Sequence, residues 1–332
     1  MARELMPDAP QDHAPKRVGQ KTYWHLLGQR RVPTDYEVVT TQLHYYPALG
    51  FALDTPVSEW IRRHQKIALG SDDGVLFADP RQTTYADYVQ LKHEQEIHLD
   101  RSCATNTGRP LAPGALELWE SVLAPARFPC HGLQMCAAYA GSMAPWSRLT
   151  VVLAFQAADE VQRIHRIAYR MAQLRQSHAS LGADSRTRWE QAALWQGVRE
   201  ILEHMLVAYD WIDGYVALNA DFKPLWERLI FGHCAELARE SGEPALAAIL
   251  ECYAEDGRWQ AACTAAALSA LRVADSTAIA AIDASIAAWT PRATRAFREL
   301  AAGLDALGST RSSAVAILDE HPKANAATGP LT

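Results

Sequence analysis

The chain has 332 residues, 49% of them hydrophobic, enough to bury one large core or two modest ones. A formal charge of -6 with no basic run argues against a nucleic-acid surface. No apolar run approaches the ~18 residues of a membrane span, and the first residues, MARELMPDAPQDHAPKR, lack an apolar signal core. The six cysteines form no CxxC pair and sit mostly in helical patterns beside Ala and Leu, so they read as reduced core thiols in the cytoplasm.

In chain order, residues 1–20 are polar and proline-containing and read as a disordered tail. Residues 21–80 read as an extended arm. Its first part, KTYWHLLGQRRVPTDYEVVTTQLHYYP, is rich in large apolar groups, among them Tyr23, Trp24, Tyr36, Leu43, Tyr45 and Tyr46, but holds no sustained period. Such a segment cannot make its own core and is expected to dock on another surface. Asp54-Thr55-Pro56 signals one short helix over 57–66.

The proline of Asp79-Pro80 predicts a helix start, with Tyr85, Tyr88, Leu91 and Gln95 at helical spacing up to about Ser102. After a GRPLAPG turn, Leu116 to Ala124 leads to a central helical pair, Arg127–Met143 and Trp146–Leu174, divided at Pro145. Gln134, Gln156, Asp159, Glu160, Arg163 and His165 stand among the apolar residues of that pair. Leu194, Val198, Ile201, Met205, Ala208, Ile212 and Tyr215 predict one long core-facing helix, interrupted at Lys223-Pro224. Leu225–Ser241, Pro244–Asp256, Arg258–Val273, Ser276–Trp289 and Pro291–Leu307 follow as separate helices, and 308–332 reads as a second disordered tail. No strand pattern and no fixed repeat emerge, so the fold class is all-α.

Long helices offering inward polar residues invite a test for a carboxylate-bridged iron pair. That site takes a Glu from each of two helices and Glu-x-x-His from each of two others, because residues three apart share a helix face. No Glu or Asp in this chain has a His three residues on. Glu160 has Arg163 there instead, and a fixed cation repels iron and pairs with the carboxylate. Glu160 with Arg163 therefore reads as a buried or interfacial charge pair. Gln134 and Asp213 read either as relics of ligand positions or as bland helix residues. His131, His165 and His204 read as packing histidines. Trp24, Trp146, Trp195, Trp211 and Trp259 are expected at interfaces.

RFPCHGLQMCAAYAGSMAP, FQAADEVQRIHRIAYRM, the upstream KTYWHLLGQRRVPTDYEVVTTQLHYY and the downstream WQGVREILEHMLVAYDWIDGYVALN together resemble the hydroxylase β subunit of bacterial multicomponent monooxygenases of the toluene, phenol or alkene type. The resemblance spans roughly Lys21 to Leu307. It implies a ferritin-like (ribonucleotide-reductase-like) bundle over 81–307 that lacks the di-iron ligands. It also implies a cytoplasmic assembly with α and γ subunits in two copies each, an effector protein, and a Rieske ferredoxin and/or reductase fed by NADH. The di-iron centre would belong to the α subunit, and this chain would carry no cofactor and no catalytic residue. A stand-alone helical ligand-binding protein or enzyme is the alternative that the residues alone leave open.

Overall fold

A computed structural model of the chain describes residues 32–42, 56–67, 76–104, 110–308 and 313–320. The chain divides into two units, 1–42 and 43–332. In the first, helix α1 spans Asp35–Gln42. It opens on a reciprocal cap: Glu37 N–H donates to Thr34 Oγ1 at 3.2 Å, and Thr34 N–H donates to Glu37 Oε2 at 2.8 Å. The arm was expected to be extended, so this helix is a difference. Its cause is the T-x-x-E spacing, a local signal that needs no apolar period. Of the arm's six named apolar residues, Tyr36 lies on α1; Tyr23, Trp24, Leu43, Tyr45 and Tyr46 lie outside the described residues.

Every regular element among the described residues of the second unit is a helix. Helix α2 (Pro56–His64) stands where the Asp-Thr-Pro signal placed it. Helix α3 (Tyr85–Ala104) starts five residues after Pro80, because Asp79 makes a tight turn first, accepting from Arg81 N–H and Thr83 N–H at 2.9 Å each. Thr84 then caps α3, its Oγ1 accepting from Asp87 N–H at 3.2 Å. Helix α4 (Pro113–Leu118) widens into a π turn over Trp119–Leu123. The central pair is α5 (Arg127–Met143) and α6 (Ser147–Leu174), and the two make the most extensive helix contact in the unit. Helices α7 (Ser185–Gln191) and α8 (Ala193–Met205) follow.

The long helix expected from Leu194 to Tyr215 is two helices. Asp210 interrupts it, accepting from Asp213 N–H at 2.9 Å as the cap of the next helix and from Lys66 N–H at 2.8 Å. The apolar period continues across this break because both helices turn the same stripe inward. From Trp211 to Glu240 the chain is helical without a gap: α9 (Trp211–Val216), α10 (Lys223–Trp226) and α11 (Cys234–Glu240), joined by π turns at Ala217–Phe222 and Glu227–His233. Pro224 thus does not end the helix; a wide turn stands directly before it. Gly242, at φ +77°, closes the stretch.

Helices α12 (Pro244–Ala274) and α13 (Ser276–Ala306) are each one 31-residue rod, where four shorter helices were expected. Gly257 and Pro291 suggested ends; both lie inside. A short α14 (Ala314–Asp319) packs on α13. One apolar core gathers Trp119, Trp195, Trp226 and Phe297, and a second gathers Trp146, Trp211, Phe155 and Trp259. Trp146, Trp195, Trp211 and Trp259 are therefore inside the fold and not at an interface, where the sequence had placed them; Trp24 lies outside the described residues.

Candidate functional site

Four helical stretches turn charged side chains toward one another within the bundle. Helix α3 supplies Tyr88, Lys92 and Gln95, α6 supplies Asp159, Glu160 and Arg163, the α10 stretch supplies Lys223 and Glu227, and α12 supplies Asp256 and Gln260. On one side Lys92 Nζ lies 2.7 Å from Asp159 Oδ1 and 2.7 Å from Asp256 Oδ2. Tyr88 OH donates to Asp159 Oδ1 at 2.8 Å, Gln260 Nε2 to Asp159 Oδ2 at 2.6 Å, and Gln95 Nε2 to Asp256 Oδ1 at 2.9 Å. The ammonium thus bridges two carboxylates whose four oxygens are all engaged.

On the other side Arg163 Nη1 donates to Glu160 Oε1 at 2.5 Å, and Lys223 Nζ donates to the same oxygen at 3.0 Å. Lys223 also lies 3.2 Å from Glu227 Oε1. The Arg163 guanidinium stands over Phe231 and Tyr253, 4.8 and 5.5 Å from the ring centroids. Gly257 explains how Glu227 fits: a Cβ at 257 would lie 2.3 Å from Glu227 Oε2. A residue that resembled a helix end is a helix interior kept bare for a carboxylate.

The electrostatics follow from burial and pairing. Burial pushes the carboxyls of Asp256 and Glu227 up, and the Asp159 charge adds to the shift at Asp256. Glu160 is as deeply buried, yet Arg163 and Lys223 together overcome its burial and hold its carboxyl below the ordinary value. Burial disfavours the Arg163 cation, but Glu160, Asp159 and Asp256 keep it charged. Tyr88 is pushed up by burial and by Asp159, so its hydroxyl stays a donor.

This donor set does not fit an iron pair. Four carboxylates meet three fixed or strongly held cations at hydrogen-bond distance, and no imidazole takes part. Among the described residues no group of three or more His, Cys, Asp or Glu side chains is arranged to hold a metal ion. What the arrangement does is fasten four helices at one level.

The structure joins Glu160 and Arg163 as the sequence paired them, and buries both. Gln134 lies half-buried on α5, outside the network. Asp213 is also elsewhere: its Oδ1 accepts from Ser285 Oγ at 2.7 Å and Trp289 Nε1 at 3.0 Å, clamping α9 to α13. His131, His165 and His204 are exposed and do not pack in the core. Sequence reasoning missed Lys92, Lys223, Glu227, Asp256 and Gln260. The signal for Asp256 and Gln260 was their four-residue spacing, hidden by the helix break assigned at Gly257.

The model of the methane/phenol/alkene hydroxylase family matches residues 54–274. The chain is 31% identical over 292 residues to the β subunit of the hydroxylase component of the toluene-4-monooxygenase system of Ectopseudomonas mendocina, covering 83% of this chain and 88% of that protein. A solved structure of toluene 4-monooxygenase with toluene in its resting active site contains a chain that superposes with TM-score 0.75 at 26% identity. It covers 91% of this chain and 98% of that one. Xenon-pressurised phenol hydroxylase from Pseudomonas sp. OX1 gives TM-score 0.72 at 20% identity over 90% and 94% of the two chains, a likeness of fold. The all-α, ferritin-like bundle is the architecture shared with these neighbours. No helix among the described residues is long and apolar enough to cross a membrane.

Proposed function

This chain belongs to the methane/phenol/alkene hydroxylase family, and from that premise we propose that it is the non-catalytic β subunit of a multicomponent monooxygenase hydroxylase. The enzyme would insert one atom of dioxygen into an aromatic ring or an alkene with electrons from NADH. The iron pair that supplies this chemistry resides in the α subunit. The β chain contributes a rigid bundle against which that subunit is held, within a cytoplasmic assembly that also takes γ, an effector and a Rieske ferredoxin and/or reductase. The first part of the arm, residues 21–47, serves as the docking element; the arm expected over 21–80 is shorter than that, because Ile67 and Phe77 are buried in this chain's own core.

The observation that carries the reading is the occupation of the bundle's centre by Lys92, Arg163 and Lys223. In a ferritin-like bundle inward carboxylates bind metal; here each carboxylate is neutralised by a side-chain cation, which fixes helix spacing without iron. The test is metal analysis of the purified chain alongside coexpression with a catalytic subunit. The chain alone is expected to hold no stoichiometric iron and to turn over neither toluene nor phenol, and the coexpressed pair to copurify with iron. Two irons per isolated chain that survive chelator dialysis would overturn the proposal.

A further inference from the structure

On the α3 side of the bundle's centre one ammonium serves two carboxylates. Lys92 Nζ lies 2.7 Å from Asp159 Oδ1 and 2.7 Å from Asp256 Oδ2, so the two acids flank a single positive charge. Both acids are buried. The other two cations of the centre are engaged elsewhere, Arg163 with Glu160, and Lys223 between Glu160 and Glu227. The next cations along α6 have acids of their own: Arg166 pairs with Glu96 and Asp100, and Arg170 with Glu243. Each carboxylate of the centre thus has a cation beside it. The cations are nevertheless one too few, and the deficit falls where Asp159 and Asp256 share Lys92.

The groups around Asp256 do not make up the difference. From α3, Tyr88 and Gln95 add hydrogen bonds to the pair but no charge, since burial and Asp159 keep the Tyr88 hydroxyl protonated. From α6 and the α10 stretch come Arg163, Lys223 and Glu227, already placed in the ion pairs above. On α12 itself burial keeps the Cys252 thiol and the Tyr253 hydroxyl protonated, and Glu255 pairs outward with Arg81 and Arg258. Charges on the other helices packed against α12 are paired too, Arg239 of α11 with Glu251 and Asp283 of α13 with Arg272. A buried charge without its own counterion takes up a proton in preference to staying ionised, and of two acids held side by side one is driven to do so. Asp159 has Lys92, Tyr88 and Gln260 against it, whereas Asp256 has Lys92 and Gln95, so Asp159 is the better-held anion.

We propose that the Asp159–Asp256 pair holds one proton at neutral pH, carried by Asp256, and that its loss in alkaline solution loosens the joint between α3, α6 and α12. Burial and the Asp159 charge both push the Asp256 carboxyl up, the direction this requires. A proton reaches the pair by way of Lys92, whose side chain is 12% exposed and lines an open groove between α3 and α6. The inference does not depend on the subunit reading, because every group involved lies within this chain.

Infrared difference spectroscopy of the full-length chain reads the proton directly, because a neutral carboxylic acid and a carboxylate absorb apart. An Asp221→Asn background is used, since burial pushes the Asp221 carboxyl up to about 6 and it would add to the signal. A neutral acid is expected at pH 7; Asp256→Asn should remove its band and Glu227→Gln should retain it. Thermal melts give a second reading. A carboxyl raised by the fold contributes stability below its unfolded value of 3.8 and loses it as pH rises through the folded value. The advantage in melting temperature of Asp256→Asn over the native aspartate should therefore still be growing between pH 6 and pH 7. No neutral-acid band at pH 7, a band that survives in Asp256→Asn, or an advantage that levels off below pH 6 would each overturn the proposal. Asparagine copies the size and neutrality of the protonated acid, so an Asp256→Asn chain that failed to fold would overturn it as well.

Discussion

Arg163 and Asp221 show how differently one bundle treats its buried charges. Arg163 is held by Glu160 and by two aromatic faces, so removing it leaves the buried Glu160 carboxylate with Lys223 alone, a cation it shares with Glu227. Arg163→Met alone is expected to cost about 3–5 kcal/mol, whereas adding Glu160→Gln should recover much of that loss. A double-mutant cycle by urea denaturation reads the coupling, and additive effects would mean that the two side chains do not interact. Asp221 behaves in the opposite way. Its carboxyl is raised from 3.8 to about 6, so the folded state binds that proton more tightly than the unfolded chain does. The favourable contribution is complete below pH 3.8 and lost as pH rises through about 6. Asp221→Asn should therefore be more stable than the native chain at pH 7, by roughly 1–3 kcal/mol, and the gap should close toward pH 4. A gap that stays constant from pH 4 to pH 7 would remove burial of that charge as the cause.

At the scale of elements, close approach between helices outweighs intrinsic helix preference. Helix α8 meets α13 at Gly197, where a Cβ would lie 2.8 Å from the Ala296 Cα, a backbone atom that cannot turn aside. Alanine is the better helix former by about 1 kcal/mol. Gly197→Ala should nevertheless destabilise the chain by roughly 1–3 kcal/mol, because the two helices must move apart. A thermal melt settles the sign, and a rise in melting temperature would show that propensity wins. The same contest explains α12 and α13 as single rods. Gly257 and Pro291 both weaken a helix locally, but each rod is pinned along its length by packing: Trp259 Nε1 donates to Asp79 Oδ1 at 2.8 Å beyond Gly257, and Thr290 and Trp289 bond to Asp221 and Asp213 beside Pro291.

For the whole molecule, a bundle cross-linked by ion pairs at its centre suits a scaffold that must keep one shape against a partner. The docking role proposed for the arm makes a separate claim. Removal of residues 1–47 is expected to leave the circular dichroism of the bundle intact while abolishing copurification with the catalytic subunit. Its motive is composition: each large apolar side chain buried on a partner contributes ~1.5–3 kcal/mol against ~1–2 kcal/mol for fixing its backbone. An active hydroxylase assembled from the truncated chain at normal yield would remove the arm from that role.

By itself the sequence determined the fold class, the central helix pair, the pairing of Glu160 with Arg163 and the family, because period, residue type and dispersed motif blocks are all properties of the chain in one dimension. Only the tertiary structure decided that Lys92 and Lys223 reach carboxylates 67 and 63 residues away. It also decided that Asp213 clamps a neighbouring helix and that Gly257 and Pro291 lie inside helices. Those outcomes depend on which faces meet. An ion pair between helices leaves no local spacing to read, and a glycine or proline weakens a helix by an amount that packing against a neighbour can repay.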